Sequence, residues 1–261
     1  MPSTSPSPSH AIYPSLQDRV VFISGGASGI GAGMVAAFAR QGARIGFIDI
    51  DACGEQLAAQ LNAASGSERV LFFPGDVTDV AVLQAAIAQT QAMQGPIKVL
   101  VNNAANDRRH ALANVTPDFF DAAVAVNLKH QFFAAQAVAP GMAQLGGGSI
   151  INLGSTSWMI KAAGFPVYAT CKAAVRGLTR ALARDLGKQN IRVNALVPGW
   201  VMTDKQLAQW VTPESEVEID AAQCLPGRLQ ADDIAHMALF LASDDSHMCT
   251  AQDFVVDAGW S

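Results

Sequence analysis

Charged residues and cysteines are both scarce in this chain. Only 15% of its 261 residues are Asp, Glu, Lys or Arg, and the formal net charge is −5. Nucleic-acid-binding domains concentrate lysine and arginine on one face, and because this sequence shows no such cluster we expect no nucleic-acid partner. The four cysteines, Cys53, Cys171, Cys224 and Cys249, include no C-x-x-C pair. We therefore expect free thiols in a reducing compartment and no metal site.

A membrane-spanning stretch and a targeting signal are also lacking. No apolar run approaches the ~20 residues that a transmembrane helix needs. The N-terminal sequence M-P-S-T-S-P-S-P-S-H has neither the basic start nor the apolar run of a signal peptide. Its Pro and Ser content predicts a disordered tail over residues 1–15. The sequence therefore predicts a cytoplasmic protein without a membrane partner.

Short apolar runs and longer alanine-rich segments alternate from Arg19 onward. The apolar runs are 20–23, 44–48, 70–73, 99–101, 149–153, 192–197 and 254–256, and the segments with helical spacing include 35–40, 55–64, 80–93, 119–138, 173–186 and 234–242. Runs that are apolar throughout are typical of strands covered by helices on both faces. Strand–helix alternation of this kind predicts an α/β fold with a doubly wound parallel sheet, in a single domain over residues 16–261.

A glycine-rich loop, S-G-G-A-S-G-I-G, follows the first predicted strand at residues 24–31. Glycines allow the backbone to turn tightly and to approach a pyrophosphate, whose charge is met by the N-terminus of the next helix. Such a loop can also be a plain turn. Its place between the first strand and an alanine-rich helix favours a dinucleotide-binding site.

Asp49 ends the second predicted strand, 18 residues after Gly31. An acid at this point accepts hydrogen bonds from the adenosine ribose and repels a 2′-phosphate. Two unit charges about 4 Å apart at an effective dielectric near 20 repel by roughly 4 kcal/mol before solvent adjusts. The alternative is an Asp that only starts a helix. We expect NAD rather than NADP. Asp76, after the third strand, either holds the adenine amino group or caps the following helix.

Tyr168 and Lys172 are four residues apart, so that a helix places them on one face. A phenol titrates at about pH 10, and the ammonium is expected to lower that pKa. Ser155 follows a predicted strand and offers a hydroxyl to the substrate oxygen. Asn127 interrupts an apolar helix, where it makes either a polar contact between helices or a kink that holds a water.

These residues together resemble the short-chain dehydrogenase/reductase family over about residues 17–260. The resemblance rests on Ser24-Gly25-x-x-x-Gly29-x-Gly31, Asn102-Asn103-Ala104, Asn127, Ser155, Tyr168-x-x-x-Lys172 and Pro198-Gly199. It implies a Rossmann-type sheet of seven strands, with Tyr168 as general base, Lys172 as ribose anchor, Ser155 as substrate clamp and Asn127 as holder of a relay water. It also implies dimers through a four-helix contact and a homotetramer through the last strand. Ser24 and Ala105 depart from the usual Thr and Gly.

The loop, the strand ends and the resemblance together define a set of expected cofactor contacts. Residues 198–203 are implied to line the nicotinamide end, with Thr203 near the carboxamide. The full set is Gly25, Ser28, Gly29, Ile30, Gly31, Asp49, Asp76, Val77, Asn103, Ala104, Tyr168, Lys172, Pro198, Gly199, Val201 and Thr203.

The variable segments are similar to bacterial aldose 1-dehydrogenases. The similar segments are 102–110, 154–158, 198–203, 221–225 and the ending V-V-D-A-G-W. This resemblance implies oxidation of the anomeric carbon of an aldopyranose with NAD. L-Arabinose and D-galactose are the favoured substrates and D-xylose is the runner-up. Arg108 stands where an acidic residue is expected.

The expected substrate contacts combine polar side chains with flat aromatic faces. They are Asn106, Asp107, Arg109, His110, Ser155, Trp158, Tyr168 and Trp200, although several of these are equally well ordinary loop residues. The alternative functions are another carbonyl or alcohol oxidoreductase, such as an oxoacyl reductase, and a catalytically silent nucleotide-binding sensor.

Overall fold

A parallel sheet organises the computed structural model, which describes residues 10–261. Within these residues seven strands pair in the order β3-β2-β1-β4-β5-β6-β7, all in parallel. The strands are β1 Val20–Ser24, β2 Arg44–Asp49, β3 Val70–Pro74, β4 Val99–Asn102, β5 Gly148–Leu153, β6 Ile191–Pro198 and β7 Asp253–Val256. The predicted doubly wound parallel sheet of Rossmann type is therefore confirmed.

Helices cover both faces of the sheet. They are α1 Gly29–Arg40, α2 Cys53–Ser65, α3 Val80–Gln94, α4 Pro117–Val124, α5 His130–Gln144, α6 Pro166–Leu186, α7 Asp204–Gln209, α8 Pro213–Ala222 and α9 Ala231–Ala242. In β1, Val21 and Ile23 pack into the layer that contains α1 and α9, whereas Val20 and Phe22 pack into the layer that contains α3 and α5. Because successive strand residues point to opposite faces, burial of both faces explains why the strands are apolar throughout.

The helix expected over residues 119–138 is interrupted in the structure. Helix α4 ends at Val124, a π-helical turn spans Ala125–Lys129, and α5 begins at His130. A π turn adds one residue to a helical turn and is often found at functional sites. The interruption coincides with Asn127, the residue that departs from the apolar pattern.

The N-terminal segment contacts the domain before β1 begins. The first nine residues of the predicted tail 1–15 lie outside the described residues. Pro14–Leu16 form a 3-10 turn with Leu16 fully buried, and the Tyr13 backbone N–H donates to Gln41 Oε1 at 2.9 Å. Across residues 10–261, no helix is long and apolar enough to cross a lipid bilayer.

Candidate active site

A cleft of about 960 Å³ opens at the edge of the sheet where the strands end. Its lining includes Asp49 from the end of β2, Asn103 just after β4, Leu153 from the end of β5 and Pro198 from the end of β6. In a parallel sheet all carboxyl ends meet at the same edge. The position where the strand order reverses, here between β1 and β4, opens a crevice between them.

The glycine-rich loop forms one end of the cleft, and its geometry admits no side chain at two positions. Gly25 has φ +70°, and a Cβ there would lie 2.7 Å from the Cα of Ala104. A Cβ on Gly31 would lie 1.8 Å from the carbonyl oxygen of Gly25. Backbone therefore lies bare at the start of α1, where a pyrophosphate can approach the helix N-terminus. The residues present fit a dinucleotide.

Asp49 lies beside this loop, and each of its carboxylate oxygens accepts one backbone N–H. Oδ2 accepts from Ala27 at 2.9 Å and Oδ1 accepts from Asp51 at 3.0 Å. An ionised carboxylate has about four acceptor positions, so that two remain for a ribose. The Asp49 carbonyl oxygen accepts from Gly75 at 2.9 Å, which brings Asp76 to the same side of the cleft. The carboxylates there supply negative charge.

Asp76 does not cap the helix after it. Asp79 is the N-cap of α3 and accepts from Ala81 and Val82 at 2.9 and 3.2 Å. Asp76 instead accepts the backbone N–H of Thr78 at 2.8 Å and is exposed at the lining of the cleft. The capping alternative for Asp76 is therefore wrong.

The loop after β4 is held to the glycine-rich loop by two polar side chains. Ser24 Oγ accepts the backbone N–H of Asn103 at 3.0 Å and that of Ala104 at 3.2 Å. Asn103 Nδ2 donates to the Gly25 carbonyl oxygen at 2.7 Å. A serine hydroxyl is sufficient for these bonds, which explains why Ser24 can stand where Thr is usual.

Ser155, Tyr168 and Lys172 meet in the middle of the cleft. Ser155 lies just after β5, and its side chain is close enough to Tyr168, in the first turn of α6, to lower the pKa of the phenol. Lys172 is 2% exposed, and its ammonium donates to the Leu153 carbonyl oxygen at 2.8 Å. The same ammonium lies 5.6 Å from the centre of the Tyr168 ring. A phenol, a hydroxyl and a cation are therefore gathered at one point.

The charges of this group differ from the expectation based on the sequence. Burial raises the pKa of Tyr168 to about 12, against the Ser155 hydroxyl and the charge of Arg109, which lower it. Burial also lowers the pKa of Lys172 to about 8. The expected lowering of the Tyr168 pKa is therefore wrong for this structure. Removal from water disfavours the charged form of each group, and this free-energy cost exceeds the stabilisation of the charged form by neighbouring groups.

Asn127 is fully buried beneath the loop that follows β4. Its Oδ1 accepts the backbone N–H of Asn106 at 2.9 Å, and its Nδ2 donates to the carbonyl oxygens of Asn106 and Ala123 at 3.1 and 2.9 Å. The side chain thus binds both backbone groups of Asn106, the first of the expected substrate residues. Asn127 lies in the middle of the π turn. The relay-water role stays a prediction.

A polar wall joins this loop to α7. Asp107 contacts the Lys205 ammonium and accepts from Gln206 Nε2 at 2.7 Å. Gln206 Oε1 in turn accepts from Trp200 Nε1 at 2.9 Å. Burial raises the pKa of Asp107, but the hydrogen bond and the charge of Lys205 outweigh it and leave the pKa lowered. Asp107 is therefore a charged, fixed acceptor in the cleft.

Arg109 is held between two aromatic rings at the same end. Its guanidinium carbon lies 3.8 Å from the centre of the Phe165 ring and 5.2 Å from that of Trp210. Burial lowers its pKa, whereas the charges of Asp107 and Tyr168 raise it. Arg109 is also part of the cleft lining, so that a cation with several N–H donors is present at this end.

Two expected substrate residues do not line the cleft. Trp158 belongs to a 3-10 turn behind Ser155, and His110 points its ring to the start of α6. Arg108, which stands where an acidic residue is expected, is also outside the cleft. Its guanidinium carbon lies 5.7 Å from the centre of the Phe119 ring. The Arg108 side chain is therefore not part of the cleft lining.

The structure also brings residues to the cleft that the sequence analysis missed. Phe165, Lys205, Gln206 and Trp260 line it. Trp260 lies 6.4 Å from Trp200 between ring centres, and a turn in which Asp257 accepts from Gly259 and Ser261, both at 2.8 Å, holds the chain end in place. Phe165 directly precedes α6, Lys205 and Gln206 follow β6, and Trp260 follows β7, so that only the tertiary structure brings these residues to one cleft.

Every residue expected to contact the cofactor lines the cleft. Of the expected substrate residues, the ones in the lining are Asn106, Asp107, Arg109, Ser155, Tyr168 and Trp200. The four catalytic candidates are also close together, with Asn127 beneath the lining and Ser155, Tyr168 and Lys172 within it. The roles of all these residues stay predictions.

Known proteins resemble this chain over nearly its whole length. A family model described as enoyl-(acyl carrier protein) reductase matches residues 25–261. A D-xylose 1-dehydrogenase of Caulobacter vibrioides is 47% identical over 97% of this chain and 99% of that protein. A probable galactose dehydrogenase of Rhizobium meliloti is 45% identical over 95% of this chain and 96% of that protein.

Solved structures agree with the fold. The crystal structure of a blue fluorescent protein from a metagenomic library, in complex with NADPH, has a TM-score of 0.86 at 34% identity and covers 95% of this chain and 99% of its own. A 3-oxoacyl-[acyl-carrier protein] reductase of Brucella melitensis with bound NAD has a TM-score of 0.85 at 31% identity, covering 95% of this chain and 93% of its own. Both of these similar proteins bind a nicotinamide dinucleotide, NADPH in the first and NAD in the second.

Proposed function

This chain belongs to the short-chain dehydrogenase/reductase family, a family of oxidoreductases, and from that premise we propose that it oxidises the anomeric carbon of an aldopyranose to the aldonolactone with NAD. One juxtaposition carries the proposal. The Tyr168 phenol lies in a cleft whose one end is a cradle of bare backbone and whose other end is lined by Asp107, Arg109 and Gln206. Fixed donors and acceptors of this kind suit a ligand with several hydroxyl groups.

Residues of this chain remove the proton of the C1 hydroxyl in this reaction. Tyr168 acts as the general base in its ionised form, which Ser155 and Arg109 favour against the cost of burial, and takes the proton of the C1 hydroxyl, while Ser155 orients the same oxygen. NAD, when bound, supplies the acceptor for the hydride that leaves C1. Lys172 and Arg109 are the nearby cations, and the charge of Arg109 favours the phenolate. The C1 oxygen becomes a carbonyl oxygen once both the proton and the hydride have left.

Asp49 supports NAD over NADP. A 2′-phosphate on the adenosine ribose would meet the Asp49 carboxylate, with Asp51 and Asp76 on the same side of the cleft. The lining residues adjacent to Asp49 in sequence, Ile50 and Asp51, provide no cation to offset the repulsion. Repulsion of about 4 kcal/mol before solvent adjusts corresponds, after screening by solvent, to a preference for NAD of at least about tenfold.

Two sugar series compete as substrates. L-Arabinose and D-galactose share the arrangement of the hydroxyls at C2, C3 and C4, and the 45% identical relative is named as a galactose dehydrogenase. D-Xylose has the opposite C4 configuration, and the 47% identical relative is named for it. A site that pairs each hydroxyl with a fixed partner discriminates between these series, because an unpaired buried polar group costs about 1–3 kcal/mol.

An oxoacyl reductase is the second candidate function. The matching family model is described by an acyl-carrier-protein substrate, and a solved 3-oxoacyl reductase shares the fold. The acidic balance of this chain, at a net charge of −5, opposes docking of an acidic carrier protein. The polar wall of Asp107 and Gln206 also fits a sugar better than an acyl chain.

We also propose that the protein forms a homotetramer in the cytoplasm. Helices α5 and α6 flank a shallow groove lined by Ala135, Ala139, Leu182 and Leu186, beside the 45% exposed Phe132. An apolar helix face of this kind is buried when two copies meet across a twofold axis. The free cysteines suit a reducing compartment. Light scattering at micromolar concentration tests the assembly, and a monomeric mass rules it out.

The deciding experiment is kcat/KM for L-arabinose, D-galactose, D-xylose and D-glucose, each with NAD and with NADP. We expect kcat/KM with NAD to be at least about tenfold higher than with NADP, and L-arabinose and D-galactose to lead, with D-xylose as the runner-up. An acetoacetyl thioester with NADH and NADPH is included as the oxoacyl substrate. Activity on the thioester without activity on any aldose would replace the sugar assignment with the second candidate.

A further inference from the structure

The helix that carries Tyr168 has no cap from its own sequence. Its N-cap residue is Phe165, which has no side-chain acceptor, and Pro166 at the first position has no N–H. The backbone N–H of Val167 is therefore the first donor of α6, and it belongs to the group of N–H donors at a helix start that find no partner within the helix. Tyr168 is the next residue.

His110 supplies the missing acceptor from a distant part of the chain. Its Nε2 lies 3.2 Å from the Val167 backbone nitrogen, in a geometry in which the N–H donates to the ring. Its Nδ1 lies 2.9 Å from the Arg108 carbonyl oxygen. A carbonyl oxygen only accepts, so that Nδ1 carries the proton and Nε2 is the bare acceptor. Both ring nitrogens are thus in use, in one neutral tautomer.

The ring of His110 is fixed by two further contacts. It packs against the Phe119 ring of α4 at 4.7 Å between centres. The His110 backbone N–H donates to the Gly164 carbonyl oxygen at 2.7 Å, just before α6 begins. The side chain and the backbone of His110 therefore both bind residues 164–167. These two contacts connect the loop after β4 to the start of α6.

The contacts of His110 connect two parts of the cleft, the loop after β4 and the start of α6. The loop that ends at His110 carries Asp107 and Arg109 into the cleft, and α6 carries Tyr168 into the same space. We propose that His110, which does not line the cleft, is a positioning residue: by accepting the Val167 N–H it holds the Tyr168 oxygen in register with the substrate loop. The inference rests on the proposed function only for the identity of the substrate.

Two variants of nearly equal polarity separate this role from a merely structural one. In His110→Gln the amide oxygen reaches as far as Nε2 and can still accept from Val167. In His110→Asn the amide reaches only as far as Nδ1, so that the Val167 N–H loses its acceptor. A displacement of about 1 Å at a reacting group costs up to ~10²-fold in rate. We therefore expect kcat to fall at least about tenfold in His110→Asn and to stay within about threefold of the parent in His110→Gln.

The experiment measures kcat and KM on whichever alcohol or sugar the parent enzyme converts best, NAD affinity, and hydrogen exchange of the Val167 amide. Exchange should be faster in His110→Asn and close to that of the parent in His110→Gln, with NAD affinity unchanged in both. Equal kcat in the two variants, a KM effect without a kcat effect, or equal exchange at Val167 would each overturn the inference. If no aldose is oxidised, the proposed function fails, and the exchange comparison still decides the role of His110.

Discussion

The buried ammonium of Lys172 should cost the protein stability at neutral pH, and Lys172→Met should reveal this. Lys172 is 2% exposed, and burial lowers its pKa from 10.5 to about 8, against the charges of Cys171 and Asp107, which raise it. Methionine has a similar length and no charge. We expect the variant to lose cofactor binding and turnover together. We also expect the free energy of unfolding of the variant, relative to that of the parent, to be higher at pH 7 than at higher pH.

The magnitude follows from the two pKa values. Below pH 8 the lysine is charged in both the folded and the unfolded state, and the full cost of burying the charge is present. Between about pH 8 and 10.5 the folded protein releases its proton while the unfolded chain keeps it, so that the parent gains stability as the pH rises. The difference between 10.5 and about 8 corresponds to about 3 kcal/mol in full, and to about 2 kcal/mol between pH 7 and 9.5.

The assay is urea unfolding of the parent and of Lys172→Met at several values between pH 7 and 9.5. Loss of the hydrogen bond to the Leu153 carbonyl oxygen changes the variant by the same amount at every pH, so that only the trend tests the argument. Lys188, which is exposed, provides the control Lys188→Met, with no trend expected. A constant difference between the parent and Lys172→Met over this range would refute the reasoning.

Three further substitutions test the remaining parts of the cleft. Tyr168→Phe should leave NAD affinity nearly unchanged and lower kcat by about 10²–10⁴-fold, and a variant that keeps most of its activity would exclude the phenol as the base. Asp49→Ala should narrow the preference for NAD over NADP by about tenfold in kcat/KM, since the repulsion of a 2′-phosphate is removed; an unchanged ratio would mean that other groups set the preference. Trp260→Ala should raise KM for the sugar several-fold with NAD affinity unchanged, because Trp260 lines the cleft beside Trp200 and we expect these rings to pack against the C–H face of a sugar. An unchanged KM would place the sugar away from the chain end.

The fold and the cofactor end of the cleft could be predicted from the sequence because their signals are local. A strand buried on both faces must be apolar at every residue, and the glycines at Gly25 and Gly31 are required by contacts within a few residues of the loop or with the adjacent strand end. Tyr168 and Lys172 share a helix, so that their spacing alone places them on one face. These patterns specify the doubly wound sheet and the order of its elements along the chain.

The lining of the cleft beyond the glycine-rich loop, and the pKa values of Tyr168 and Lys172, were decided by the tertiary structure. His110 is a residue type that can hydrogen-bond a sugar, yet its ring caps α6. Its partner is the backbone N–H of Val167, which lies 57 residues further along the chain. Trp260 enters the cleft only because β7 pairs with β6. The Tyr168 pKa rises rather than falls, because burial depends on what packs around a side chain and not on its sequence neighbours. The sequence determined which groups the protein has and the elements that carry them, and packing between distant elements decided which of those groups face the cleft and in what charge state.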